Sequence, residues 1–104
     1  MVIAEVSVIP VGTNKASASE YVARAVKSLQ QHKTVKYQVT AMGTQLEGGL
    51  GEIFAAAKKM HESVFGEGVN RVITNITIDD RRDKDLTMEY KVQSVMSKIG
   101  SPIK

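Results

Sequence analysis

Three stretches of this chain alternate residue by residue between two kinds of face, and the segments between them repeat their apolar residues at helical spacing. Val2, Ala4, Val6 and Val8 point one way while Ile3, Glu5, Ser7 and Ile9 point the other, the signature of a strand with two unlike faces. Residues 34–42 set Val35, Tyr37, Val39 and Ala41 against Lys36, Gln38, Thr40 and Met42, and residues 70–79 set Val72, Thr74, Ile76 and Ile78 against Ile73, Asn75, Thr77 and Asp79. A shorter strand over residues 44–47 follows Gly43, so the second and third strands form a hairpin or one bent ribbon. A one-residue slip would turn every buried side chain outward, so such a pattern strongly limits the pairings a sheet can adopt.

The intervening segments read as helices. Ala18, Val22, Ala25, Val26 and Leu29 recur at helical spacing over residues 17–31, and Ser17-Ala18-Ser19-Glu20 matches a capping box, which satisfies the first free amides of a helix. Leu50, Ile53, Phe54, Ala57, Met60, His61 and Val64 trace a second stripe, ended by Gly66 and Gly68. A last helix over residues 87–99 uses Met88, Val92, Val95, Met96 and Ile99 and stops at Gly100, with Pro102 beyond. The 104 residues suit one domain, 1–104. The order strand, helix, strand, strand, helix, strand predicts an α+β chain, a ferredoxin-like βαββαβ sandwich with an added C-terminal helix. Both crossover helices then cover the apolar faces of residues 2–8, 35–41 and 72–78. The opposite face, with Ile3, Glu5, Ser7, Ile9, Gln38, Thr40, Met42, Gln45, Glu47, Ile73, Asn75 and Thr77, suits a subunit interface with polar pockets or a ligand floor.

Composition removes several classes of function. The net charge is +3, but the lysines and arginines are scattered, and Arg81-Arg82 sits within Asp79-Asp80-Arg81-Arg82-Asp83-Lys84-Asp85, where carboxylates outnumber bases. A phosphate-binding footprint would gather its bases on one strip, so no nucleic-acid partner is expected. Without cysteine there is no disulfide, thiolate nucleophile or thiolate metal site. The start, Met1-Val2-Ile3-Ala4-Glu5, carries no secretory pattern, and no long apolar run follows; a cytoplasmic protein with no membrane partner is expected. His32 and His61 have no acidic or histidine partner at metal spacing, so neither a metal site nor a cofactor is predicted. Ser7, Ser17, Ser19 and Ser28 lack a nucleophile elbow, and no strand carries the clustered aromatics of RNA-recognition domains.

What remains is Ala41-Met42-Gly43-Thr44-Gln45-Leu46-Glu47-Gly48-Gly49, which puts a carboxylate and a hydroxyl beside glycine-exposed backbone. Spacing alone leaves two readings open for Glu47: a site residue, or a complement to the positive N-terminal end of the second helix. The charged run at residues 79–83 is likewise either a solvated loop with internal ion pairs or a set of pairs between subunits.

The ordered set Pro10-Val11-Gly12-Thr13, Met42-Gly43-Thr44 with Leu46-Glu47-Gly48, and Asp79-Asp80-Arg81-Arg82-Asp83 resembles the small thiamine-binding protein family. The likeness covers nearly the whole chain, and the chain is also similar to the repeated unit of a larger pyrimidine-binding relative. Membership implies a ferredoxin-like fold, dimers that pair into tetramers, and binding of thiamine or its hydroxymethylpyrimidine part rather than catalysis. Two positions depart from the family pattern: Ala41 stands where a proline is common, and Leu50 where many relatives have tryptophan.

Thiamine joins an aminopyrimidine, with paired donors and acceptors, to a thiazolium of fixed positive charge. A binder needs hydroxyl or amide groups, a carboxylate and apolar walls. On that basis Glu47 is expected to accept from the exocyclic amine or offset the cation. Thr44, Asn75 and Ser7 would complete hydrogen bonds from the open sheet face, with Thr40 beside them. Met42 and Ile73 would supply apolar contact, and Thr13 would close the rim. The expected protein is a non-enzymatic homo-oligomeric binder. The alternatives are a regulatory or scaffold oligomer without a small-molecule ligand, and a small enzyme with Glu47 as base.

Overall fold

The computed structural model describes residues 1–14, 18–66 and 68–100. Strand β1 (Val2–Pro10) is followed by helix α1 (Ser19–Ser28) and a 3-10 turn (Leu29–Gln31). Strands β2 (Lys36–Val39) and β3 (Thr44–Gly48), helix α2 (Leu50–Val64), strand β4 (Val72–Asp79) and helix α3 (Met88–Lys98) complete the chain. The four strands form one antiparallel sheet in the order β2-β3-β1-β4, a small α+β fold. β1 is central: it pairs with β3 from Val2↔Gly48 to Val6↔Thr44 and with β4 from Ile3↔Asp79 to Pro10↔Val72.

The β1 alternation becomes its burial. Val2, Ala4, Val6 and Val8 are buried, and they join Leu46 of β3, Tyr21, Ala25 and Leu29 of the α1 segment, and Ile53, Ala56, Ala57, Met60 and Val64 of α2 in one apolar core. α1 turns a slightly different stripe inward than its spacing suggests. Tyr21 is buried, while Val22 and Val26 are half-buried beside the sheet edge. On α2 the outer members of the expected stripe, Leu50 and Phe54, are exposed, and Ala56 takes an inward place. His61 lies over the sheet, its Nδ1 2.7 Å from Thr74 Oγ1 of β4 and its ring edge-on to Phe65 at 5.3 Å.

Two expectations about faces need correction. Only Val35 of the 35–41 set is buried; Tyr37, Val39 and Ala41 are exposed. β2 is the edge strand, and α1 does not reach over its outer end, so alternation there does not produce burial. Ile76 of β4 is also exposed, at 40%, beyond the cover of the helices. The second strand also ends earlier than its alternation implies. Thr40 donates from its backbone N and its hydroxyl to the Gly43 carbonyl, at 2.9 and 2.7 Å, closing a four-residue hairpin loop over residues 40–43.

The helix ends follow local chemistry. α1 begins at Ser19 with Ala18 as N-cap, which has no capping side chain; Ser17 lies outside the described residues, as does Pro102. α2 ends at Val64 with Phe65 extended rather than on a left-handed glycine; Gly68, in the turn beyond, and Gly100, directly after the α3 cap, adopt φ of +82° and +72°, the left-handed geometry glycine accepts without a Cβ penalty. The Thr87 side chain caps α3 by accepting from Tyr90 N at 3.1 Å.

Candidate functional site

The residues picked from sequence fall into four places. Thr40, Met42, Thr44 and Ser7 border one cavity of about 350 Å³, set between the outer end of β1, the hairpin loop and the two crossover helices. Its remaining walls include Val6, Val8, Ala18, Val22, Ala25 and Met60. Ala18, Ala25 and Ala41 supply little side-chain volume to its wall, in a layer that is otherwise close-packed. This volume lies within the range of small-molecule sites.

Thr44 is 2% exposed and, by its register opposite Val6, lies on the helix-covered face rather than the open face. That corrects its expected placement, since Gly43 belongs to the loop and β3 starts with its odd-numbered residues facing outward. The Thr44 hydroxyl makes no side-chain hydrogen bond among the described residues, so it has a donor and acceptor to offer to the cavity. Thr40, by contrast, has committed its proton to the Gly43 carbonyl and can still accept. Met42 is 84% exposed at the hairpin tip, a flexible apolar side chain at the mouth. Ser7 borders the cavity while its alternation sets its side chain on the open face, opposite Asn75.

Glu47 does not reach this cavity. It lies on the open face opposite Ile3, as strand parity predicts, yet it is only 6% exposed because the start of α3 covers it. One oxygen, Oε1, accepts from the backbone N of Met88, the first residue of α3, at 2.7 Å. A carboxylate there meets both the free amides and the positive end of the helix dipole. Glu47 is therefore a helix-end carboxylate, but for α3 rather than α2, a pairing across 41 residues of sequence. Asn75 and Ile73 are exposed on the open face of β4, and Thr13 sits half-buried on the loop after β1; none of these three lines the cavity.

α3 also roofs a cleft of about 440 Å³ over the open face, where Ile3, Glu5, Gln45 and Thr77 form the floor and Met88, Val92, Val95 and Met96 the roof. Lys91 Nζ pairs with Asp79 Oδ2 at 2.5 Å on its edge. The charged run beyond β4 closes on itself: Arg81 donates two bonds to Asp83, at 2.6 and 2.9 Å, and Arg82 pairs with Asp80 at 2.8 Å. Donation from Arg81 holds the Asp83 carboxyl down at about 2, and donation from Arg82 lowers that of Asp80. These exposed pairs satisfy the loop internally.

Sequence reasoning missed the helical half of the cavity wall. Ala18, Val22 and Ala25 carry apolar periodicity, which says only that a helix packs; their small size was the available sign of space. Among the described residues, no group of three or more His, Asp or Glu side chains could hold a metal ion, and no helix is long and apolar enough to cross a membrane.

Comparison with known proteins agrees on kinship. The Bacillus subtilis UPF0045 protein YqgV is 48% identical over 98 residues, covering 91% of this chain and 94% of its own. The crystal structure of the Methanocaldococcus jannaschii protein MJ1052 superposes with a TM-score of 0.82 at 42% identity, over 90% of this chain and 94% of that one. A Bacillus cereus domain of unknown function, DUF77, gives 0.77 at 32% identity over 89% and 88%. Residues 4–96 match the family described as thiamine-binding protein, and the chain belongs to that family.

Proposed function

We propose that the protein binds thiamine or a related hydroxymethylpyrimidine without transforming it, with the pyrimidine in the cavity between α1 and the β2–β3 hairpin. The observation that carries this reading is the Thr44 hydroxyl, which makes no side-chain hydrogen bond among the described residues, on an otherwise largely apolar wall, in a chain of the thiamine-binding family. An aminopyrimidine needs a few directed hydrogen bonds within an apolar slot. Thr44 can accept from the exocyclic amine or donate to a ring nitrogen, while Val6, Val8 and Met60 contact the ring faces. A binding role, rather than catalysis, fits a wall without a general acid or base among the described residues.

Self-association, as a dimer or tetramer, is part of the same proposal. Of α3 only Met88 is buried, while Val92, Val95 and Ile99 are 51%, 60% and 62% exposed. An apolar stripe of that kind beside a mixed sheet face suits a second subunit. The stripe also keeps alive a second reading, a scaffold oligomer working through protein partners. The strand order supports the ferredoxin-like description, and a cytoplasmic setting fits a cysteine-free chain.

Native mass spectrometry with added thiamine, followed by calorimetric titration, tests both parts. The expected result is an oligomer carrying ligand, with affinity reduced up to about tenfold in Thr44→Val, the scale of one lost hydrogen bond. Absence of any thiamine binding would leave the scaffold reading standing, and undiminished affinity in Thr44→Val would remove the cavity as the site.

A further inference from the structure

The cavity continues along α1. Ala18, Val22 and Ala41 belong to its wall and also to a groove that passes Val26 and ends beside Lys27 and Gln30, with Val39 across from the helix. Val22 and Val26, four residues apart, share one face of α1, with Ala18 at its N-cap and Gln30 in the 3-10 turn that follows. From Val22, the last shared helical wall residue, to Lys27 the helix advances about 7.5 Å.

We propose that this groove receives a phosphorylated arm of the thiamine ligand, with Lys27 as its counter-charge. The inference rests on the binding reading above and adds the form of the ligand. Its basis is the charge of the walls. Among the described residues lining cavity and groove there is no carboxylate, and Lys27 is the sole ionised side chain. Glu47, the acid expected to offset the thiazolium, is spent on α3 across the sheet. Bare thiamine would thus bring its fixed positive charge toward an ammonium, with no protein anion between them. Phosphorylation of the hydroxyethyl arm reverses that balance: the phosphate faces Lys27, and the ligand carries its own counter-ion. Lys27 is available for this, since it makes no ion pair or side-chain hydrogen bond among the described residues. Its position in the last turn of α1 offers an ordinary rival role, complementing the helix dipole, which would be indifferent to the ligand.

Calorimetric titration of the full chain with thiamine and with thiamine monophosphate, for wild type, Lys27→Ala and Lys27→Glu, separates these roles. The wild type should bind the monophosphate about fivefold more tightly than thiamine, the upper range for a solvent-facing ion pair. Lys27→Ala should weaken the monophosphate while binding thiamine slightly more tightly, and Lys27→Glu should invert the preference. Added salt should shrink the wild-type preference. Thiamine binding with no preference for the monophosphate, or a preference that survives Lys27→Ala, would overturn the proposal and leave the cavity reading intact. Failure of both ligands to bind wild type would remove the cavity reading and this proposal with it.

Discussion

Replacing Glu47 tests the claim that this carboxylate holds α3 in place. In Glu47→Ala the Met88 amide, which donates a 2.7 Å bond to Oε1 in a buried setting, loses its acceptor. A buried donor left unpaired costs about 1–3 kcal/mol. Loss of an anion at a helix N-terminus adds about 0.3–1 kcal/mol. Together these predict destabilisation of about 1.3–4 kcal/mol for Ala, whereas Gln keeps an acceptor of the same length and should cost less, about 1 kcal/mol at most. In a chain of this size each kcal/mol moves the melting midpoint by about 4–8 °C. Urea unfolding at fixed protein concentration, needed because association itself stabilises, would report the total. Amide hydrogen exchange at Met88 and the first turn of α3 would localise it. A cost below about 0.5 kcal/mol for Glu47→Ala, the range of ordinary surface changes, would refute the capping role. Reduced thiamine affinity in Glu47→Gln with unchanged stability would return Glu47 to the ligand site.

Two further outcomes follow from local geometry. A Cβ at Gly43 would lie 3.1 Å from Glu5 Cγ and 3.2 Å from the Val6 carbonyl oxygen; the backbone oxygen cannot swing away, so Gly43→Ala should cost about 1–3 kcal/mol in urea unfolding through crowding, and a neutral result would show that the hairpin yields. The Asp83 carboxyl, held by Arg81 at about 2 against an ordinary 3.8, should titrate near 2 by NMR and return toward 3.8 in Arg81→Ala. Because the folded value is the lower one, whatever the pair contributes to stability is present above 3.8 and disappears as pH falls through about 2; a wild-type midpoint near 3.8 would refute the pairing.

The strands and helices were largely legible because their periods differ and their ends carry local chemistry: β1 alternates over its whole length, and Gly100 ends α3. The burial of β2 was not legible. Tyr37 and Val39 alternate as well as Val6 and Val8 do, but alternation reports two unlike faces and is silent on whether a helix extends far enough to cover one. The loop at residues 40–43 was hidden for a related reason, since Thr40 to Met42 continue the alternation until the Gly43 carbonyl draws the Thr40 amide and hydroxyl into a turn.

The candidate site divides along the same line. Residue types at 40, 42 and 44 marked the hairpin as a place where hydroxyl, thioether and bare backbone meet, and strand parity correctly set Glu47 on the open face. By itself, then, the sequence determined which side chains share a strand face and which segments become strands and helices, because those depend on periods of two and 3.6 residues. Only the tertiary structure decided what covers each face. α3 folds back over Glu47 and takes up its carboxylate, while small residues on α1 and the hairpin leave a cavity beside Thr44. Both outcomes depend on contacts between residues far apart in the chain, for which no local pattern exists to be read.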